Sequence, residues 1–183
     1  HVDIEAATAH GITVVHTPGR TAQAVAELAM GLLLSLARHI PQANQYVKEA
    51  RWEDPVEPYI GLRGVELCGR TLGIIGFGAS GRLVARLGIG MGMHVVAYDP
   101  YAAPLGSHRA GAVMVDLDHL LCQADCVTIH TPDTPETEGL LNAQRLARMK
   151  PGSYLVNLAS PSIVEPEDLV HALREGPLAG AAL

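Results

Sequence analysis

Short apolar runs alternate with amphipathic stretches from about residue 70 to the end of the chain. The amphipathic stretches predict helices at 79–87, 116–123, 142–148 and 166–174. Almost wholly apolar strands that alternate with helices are what a parallel sheet covered on both faces requires. The pattern therefore predicts the α/β class with a doubly wound parallel sheet. The predicted strands are "TLGIIGF", "HVVAYD", "GAVMV", "DCVTIH", "SYLVNLA" and "LAGAAL", which begin at residues 71, 94, 111, 125, 153 and 178.

The first third of the chain has a different pattern. "GITVVH" at 11–16 is a β-branched apolar run of the kind that forms strands, and the turn "TPGR" follows it. A helix is predicted over 21–38, and its apolar side chains cover so much of its circumference that we expect more than one packing partner. It is shorter than the ~20 residues that a bilayer crossing needs. Two prolines and two glycines within 51–64 predict an irregular arm or connector.

Composition and charge restrict the possible partners. With 48% hydrophobic and 17% charged residues, the 183 residues can bury the core of one domain. A formal net charge of -6 without a Lys/Arg cluster argues against nucleic acid and against an anionic membrane surface. Cys68, Cys122 and Cys126 are an odd number in a chain without a signal-peptide pattern, which indicates reduced thiols and a cytoplasmic location. No second cysteine pair completes a zinc site, so we expect no metal.

Three glycines connect the first predicted strand of the alternating region to its helix. In "GIIGFGASGRLVARL" at 73–87, Gly76 permits a sharp turn, Gly78 leaves room for a diphosphate, and Gly81 allows close packing of helix and strand. The N–H groups of Ala79 and Ser80 are expected to face the phosphates at the positive end of the helix. Glycine is common in this chain, so the motif alone could also be a turn that binds nothing.

An acidic residue at the end of the next strand makes the nucleotide interpretation stronger. Asp99 follows Gly81 by 18 residues, which is the spacing of a ribose-binding carboxylate. A carboxylate accepts hydrogen bonds from both ribose hydroxyls and repels a 2′-phosphate. Pro100 and Tyr101 follow it, where an arginine for that phosphate would otherwise stand. The sequence therefore predicts NAD rather than NADP as the cofactor.

Two further strand ends belong to the same edge of the predicted sheet. His130 to Pro132 follow one strand, and we expect them to line the adenosine side, with His130 in a structural rather than a catalytic role. Asn157 to Ser160 follow a later strand and are expected to face the nicotinamide half of the cleft.

With these residues in place, the chain resembles the NAD-binding domain of the D-isomer-specific 2-hydroxyacid dehydrogenases, most closely the phosphoglycerate dehydrogenase branch. The resemblance runs along nearly all of residues 1–183. The resemblance implies a Rossmann domain, an NAD-linked interconversion of a 2-hydroxy acid and a 2-oxo acid, a second domain across the cleft, and a homodimer built on helix 21–38 and arm 51–64. The segments that carry it are "VDIEAATAHGITVVHTPG", "AVAELAMGLLLSLAR", "GRTLGIIGFGASGRLVA", "YDP", "HTPDTPETEGLLN", "MKPGSYLVN" and "ALREGPLAGAAL".

The resemblance also assigns individual residues. It implies that Thr131 lies beside the adenosine and that Leu158, Ala159 and Ser160 lie near the nicotinamide. It implies the same cofactor contacts for the glycine loop and Asp99. The family pattern Asn-x-Ala-Arg-Gly-Gly is replaced here by "NLASPS" at 157–162, so Ser160 stands where an arginine that grips the substrate is expected. A serine offers one neutral hydrogen bond instead of a charged, two-pronged one.

The resemblance leaves three functional hypotheses. The first is a dehydrogenase of which these residues are the cofactor domain, with most of the substrate domain, the catalytic acid and its histidine outside the chain. It then needs another cation in the cleft, for which Arg20 in "TPGRTA" is the candidate. The second is a catalytically impaired protein that binds NAD(H) without turnover, which Ser160 supports. The third is a different Rossmann enzyme, such as a relative of adenosylhomocysteine hydrolase.

Overall fold

The computed structural model describes residues 2–50, 56–102 and 111–183. Part of the predicted arm, residues 51–55, lies outside the described residues. In the described parts the strands are β1 Thr71–Ile75, β2 His94–Tyr98, β3 Val113–Met114, β4 Cys126–Ile129, β5 Ser153–Asn157 and β6 Leu178–Ala182. The helices are α1 Ile4–Ala9, α2 Ala22–Ala37, α3 Ile40–Lys48, α4 Val56–Gly61, α5 Ala79–Gly90, α6 Leu117–Gln123, α7 Ala143–Leu146 and α8 Pro166–Arg174, with a 3₁₀ turn at Pro161–Ile163.

The six strands form one parallel sheet in the order β3-β2-β1-β4-β5-β6. Thr71 pairs with His94 on one side of β1, and Leu72 pairs with Cys126 on the other. The strand order reverses between β1 and β4, and ligands of open α/β sheets bind at the carboxyl ends of the strands at such a point. The predicted fold class is confirmed.

Helices cover both faces of the sheet. The core on the face of α2 and α5 includes Leu33, Ile74 and Val84, and the core on the opposite face includes Leu120 and Leu155. All five side chains are at most 2% exposed. Burial on both faces explains why the strands read as continuous apolar runs rather than as alternating ones.

The first third of the chain corrects the sequence interpretation. Residues 12–16 form no strand, because the run is at the surface with no strand beside it in the described structure, and Val15 is 85% exposed. The helix predicted over 21–38 is present as α2. It is followed by α3, which the pattern did not predict, after a break at His39 with φ 53°.

Candidate functional site

The loop between β1 and α5 requires glycine at two positions. Gly76 has φ +92°, and its N–H donates to the Tyr98 carbonyl oxygen at 2.8 Å. A Cβ on Gly76 would lie 2.7 Å from the carbonyl carbon of His130, and a Cβ on Gly81 would collide with the carbonyl oxygen of Gly76. The backbone of β1, the loop and α5 is therefore packed too closely for side chains at either position.

The N-terminus of α5 is open. Gly78 is its N-cap and no side chain of a described residue caps it. The first backbone bond of the helix runs from the Arg82 N–H to the Gly78 carbonyl at 3.1 Å, so the N–H groups of Ala79, Ser80 and Gly81 have no partner among the described residues. A Cβ on Gly78 would meet nothing within 4 Å. Free N–H groups at the positive end of a helix, with open space before them, suit a diphosphate.

Asp99 lies against this loop. Its Oδ2 accepts a hydrogen bond from the Phe77 N–H at 2.8 Å, and its Oδ1 accepts one from the Tyr101 N–H at 2.8 Å. The two backbone donors fix the carboxylate between the end of β2 and the glycine loop. Each oxygen retains acceptor capacity, so two adjacent ribose hydroxyls can donate to it.

A cleft of about 430 Å³ opens beside these residues. Its size falls in the usual range of small-molecule sites. The Thr131 Oγ1 atom is buried there without a hydrogen-bond partner among the described residues. A buried hydroxyl without a partner is costly, so Thr131 has a hydrogen bond to offer a ligand. The lining includes Gly76, Gly78, Tyr98, Asp99, His130 and Thr131.

His130 lines the cleft and is neutral at pH 7. Burial lowers the pKa of His130 to about 4. Its Nε2 lies 3.0 Å from the Thr128 Oγ1, which is a hydrogen-bond distance. An imidazole with this pKa is unprotonated at pH 7 and cannot donate a proton as a general acid.

The end of β5 has a separate polar network that sequence reasoning did not find. The Ser160 Oγ donates to Asp133 Oδ2 at 2.9 Å, and the Ser162 Oγ donates to Asp133 Oδ1 at 2.8 Å. The Asn157 Nδ2 donates to the Ser160 carbonyl at 3.0 Å, and its Oδ1 accepts from the Ala159 N–H at 3.0 Å. A carboxylate and hydroxyls therefore occupy the position where the resemblance implies a guanidinium.

The predicted site residues thus fall into two groups. Gly76, Gly78, Asp99 and Thr131 line one cleft, and residues 79–81 begin the helix beside it. Residues 158–160 follow β5, two strands away from β1, and do not line that cleft. Leu158 packs against the core on the α2 and α5 face, and Ala159 packs against the opposite core.

The described residues can also be examined for a metal centre and for a membrane-spanning helix. No group of three His, Cys, Asp or Glu side chains is arranged to hold a metal ion in the part of the chain that the structure describes. No single helix there has both the length and the apolar character to cross a membrane. Taken together, α2 and α3 have that length and composition, but as a pair bent by 66° at the break between them.

Residues 30–183 match the sequence profile described as "D-isomer specific 2-hydroxyacid dehydrogenase, NAD binding domain". Over all 183 residues the chain is 42% identical to D-3-phosphoglycerate dehydrogenase from Synechocystis sp., of which it covers 32%. It is 41% identical over 184 residues to glyoxylate reductase from Thermofilum pendens, covering 100% of this chain and 54% of that protein. The chain thus spans about a third of the first relative and half of the second.

Solved structures of similar proteins superpose on nearly the whole chain. The TT0316 protein from Thermus thermophilus superposes with a TM-score of 0.89 at 42% identity, over 98% of this chain and 55% of that one. D-Lactate dehydrogenase from Aquifex aeolicus, whose structure holds NAD and lactic acid, superposes with a TM-score of 0.85 at 32% identity, over 98% of this chain and 53% of that one.

Proposed function

Because the chain belongs to the D-isomer specific 2-hydroxyacid dehydrogenase family through its NAD-binding domain, we propose that the protein is an NAD-dependent oxidoreductase. It interconverts a D-2-hydroxy acid and a 2-oxo acid, as the phosphoglycerate dehydrogenases among its relatives do by name. The observation that carries the proposal is the placement of Asp99, which accepts a hydrogen bond from the Phe77 N–H beside the open start of α5. The proposed domain comprises residues 1–183, with α2 and the arm at 51–64.

NAD is the family's cofactor, and the residues present fit it. When bound, NAD supplies the hydride acceptor at its nicotinamide ring. The free N–H groups of residues 79–81 bind the diphosphate, and Gly78 leaves space for its approach. Asp99 accepts hydrogen bonds from the adenosine ribose, and the buried Oγ1 of Thr131 bonds within the same cleft.

The same carboxylate selects NAD over NADP. Both oxygens of Asp99 are fixed by backbone N–H groups, so the side chain cannot swing aside without breaking two hydrogen bonds of 2.8 Å. A 2′-phosphate at this position would meet a fixed negative charge. Pro100 and Tyr101 beside it carry no cation that could offset the repulsion.

We place the nicotinamide half of the cofactor at the end of β5, over Leu158, Ala159 and Ser160. The sheet order supports this placement, because β4 and β5 lie across the switch point from β2. Reduction of a 2-oxo acid also needs a proton donor at its carbonyl oxygen. His130 is unprotonated at pH 7, so it does not supply that proton.

We propose that the protein acts as a homodimer in the cytoplasm. Five apolar side chains of α2, α3 and α4 are at least half exposed, and a second copy of the chain would cover them. They are Leu28, Ile40, Val47, Val56 and Ile60. The three cysteines are free thiols, as expected of a reducing compartment.

One observation favours a second candidate function. Ser160 donates to the carboxylate of Asp133 where a cation is expected, so the protein could be one that binds NAD(H) without turnover. Its binding cleft would be the same, and only the reaction would be absent.

An assay of the full-length gene product separates the two candidates. Oxidation of NADH is followed by its absorbance with hydroxypyruvate, glyoxylate and 3-phosphohydroxypyruvate, and NADH affinity is measured by calorimetry. Turnover with any of the three acids supports the dehydrogenase. Tight NADH binding without turnover supports the binding protein, and no NADH binding contradicts both.

A further inference from the structure

The end of β5, where we place the nicotinamide, has the negative charge of Asp133 and no positive charge in its described hydrogen-bond network. Asp133, from the loop after β4, lies beside the end of β5 in the hydrogen-bond network with Ser160 and Ser162. A 2-oxo acid carries a carboxylate next to its reacting carbonyl, and a carboxylate is repelled by Asp133. Two hydroxyl groups do not replace the paired charge and geometry of a guanidinium. A cation from another element would offset the charge of Asp133 and bind the substrate carboxylate.

The turn that precedes α2 lies beside the start of α5. A Cβ built on Gly19 would lie 3.7 Å from the Cβ of Ala79, so this turn touches the first residue of α5. Arg20 is the next residue, and it is exposed. The turn thus places a guanidinium-bearing residue beside the end of the helix where the diphosphate is proposed to bind.

Arg20 is also unengaged, unlike several other arginines of the described structure. No described residue forms an ion pair with it. The Arg82 Nη1 donates to the Phe77 carbonyl at 3.0 Å, and the Arg145 Nη1 donates to the Leu140 carbonyl at 2.7 Å. Arg148 pairs with Asp118 at 2.6 Å. Arg20 can therefore move to a ligand without losing an ion pair or a hydrogen bond to a described residue.

We propose that Arg20 binds the carboxylate of the 2-oxo acid and supplies from the start of α2 the charge that Ser160 does not supply from the end of β5. This inference rests on the proposed function. We assign Arg20 to the substrate carboxylate rather than to the diphosphate for two reasons. Three free N–H groups at the start of α5 can already bind the diphosphate. The described network at β5 offers the carboxylate no cation.

The test uses the full-length protein and oxamate, an unreactive analogue of a 2-oxo acid. Calorimetry measures oxamate binding to the protein saturated with NADH, and separately measures NADH binding. Arg20→Ala is expected to weaken oxamate roughly 10- to 100-fold, the loss of a charge-assisted hydrogen bond, and to leave NADH affinity unchanged. Arg20→Lys should lie between Arg20→Ala and the unsubstituted protein, because an ammonium keeps the charge but not the two-pronged geometry.

The control is Arg86→Ala, which removes an exposed arginine from α5, and it should change neither affinity. Unchanged oxamate affinity in Arg20→Ala overturns the inference. So does an equal loss of NADH and oxamate affinity, because that result puts Arg20 on the diphosphate. If the unsubstituted protein turns over a 2-oxo acid and Arg20→Ala does so equally well, only the inference fails. If the unsubstituted protein turns over none, the proposed function fails with it.

Discussion

Asp99 and Asp133 both lie after strand ends at the carboxyl edge of the sheet, and they are held in different ways. Asp99, after β2, accepts hydrogen bonds from two backbone N–H groups. Asp133, after β4, accepts hydrogen bonds from the hydroxyls of Ser160 and Ser162. The first arrangement depends on where the main chain runs, whereas the second depends on which side chains meet.

This difference separates the proposed cofactor-binding region from the proposed substrate-binding region. The Asp99 region has the geometry and the residue types that the family pattern implies, so we propose that it binds the family's cofactor. At the end of β5, Ser160 bonded to Asp133 stands where the family pattern has an arginine, so we propose that the substrate is held in another way. The residues of the adenosine half of the site are therefore proposed from the family pattern, whereas those of the reacting half must be tested in this protein.

The largest effect is expected where the main chain itself is packed. Gly81→Ala places a Cβ against the Gly76 carbonyl and should lower the free energy of unfolding by about 1–3 kcal/mol, because the loop must shift. The same shift should abolish NADH binding by the full-length protein. Urea unfolding and calorimetry measure the two effects. In Gly90→Ala, at the end of the same helix, the new Cβ meets no atom within 4 Å, so both quantities should be kept. Equal behaviour of the two variants would contradict the packed loop.

The next effect concerns Asp99 itself. Asp99→Ala removes the acceptor of the ribose hydroxyls and should weaken NADH roughly 10- to 100-fold, with a smaller loss for NADPH, so that the preference between the two cofactors narrows. Asp116→Ala is the matched control, because Asp116 accepts a backbone N–H from His119 at 2.8 Å outside the cleft. It should reduce stability without changing cofactor affinity. Calorimetry with both cofactors tests this, and an unchanged NADH affinity in Asp99→Ala would remove the ribose assignment.

His130, between the two regions, is expected to give a pH dependence. Burial lowers the pKa of His130 from 6.5 to about 4. The unfolded chain then takes up a proton before the folded one as the pH falls. Above pH 6.5 the free energy of unfolding therefore does not depend on the titration of His130. Between pH 6.5 and pH 4 it falls by roughly 1 kcal/mol for each unit by which the pH is lowered. His130→Gln should flatten this slope in urea unfolding at a series of pH values. The exposed His119→Gln serves as the control and should keep it, and a slope unaltered in His130→Gln would refute the assignment.

The smallest effect is expected in the Asp133 network. Ser160→Ala removes one of the two hydroxyl donors of an exposed carboxylate. The other donor, Ser162, remains bonded to it, so the effect is small. We expect a loss of unfolding free energy of about 1 kcal/mol or less and no change in NADH affinity. Thermal unfolding and calorimetry report these quantities. A large loss of NADH affinity would show that the Ser160 hydroxyl forms its hydrogen bond with the cofactor and not with Asp133.

The parts of the fold that sequence predicts best are those with one repeated physical demand. The six strands were predicted because a sheet covered on both faces needs apolar side chains at every position, as in β4 and β5. The run at 11–16 has the same composition but lies exposed at the surface. The helix α3 was not predicted because it follows α2 after a break at His39, a left-handed residue that is not glycine.

The site residues also differ in how far the sequence predicts them. The glycine loop and Asp99 were predictable because their positions follow from spacing along adjacent strands. The pairing of Asp133 with Ser160 was not, because it joins residues 27 apart in two loops whose paths depend on tertiary packing. Asp133 in "HTPDTPET" was a signal in the sequence, since it is a charged residue at a strand end of the binding edge.

The most direct measurement is a crystal structure of the full-length protein with NADH. We predict that the diphosphate lies at the N–H groups of residues 79–81 and that both adenosine ribose hydroxyls lie within hydrogen-bond distance of the Asp99 carboxylate. A nucleotide bound elsewhere, or one whose ribose does not contact Asp99, would contradict the account.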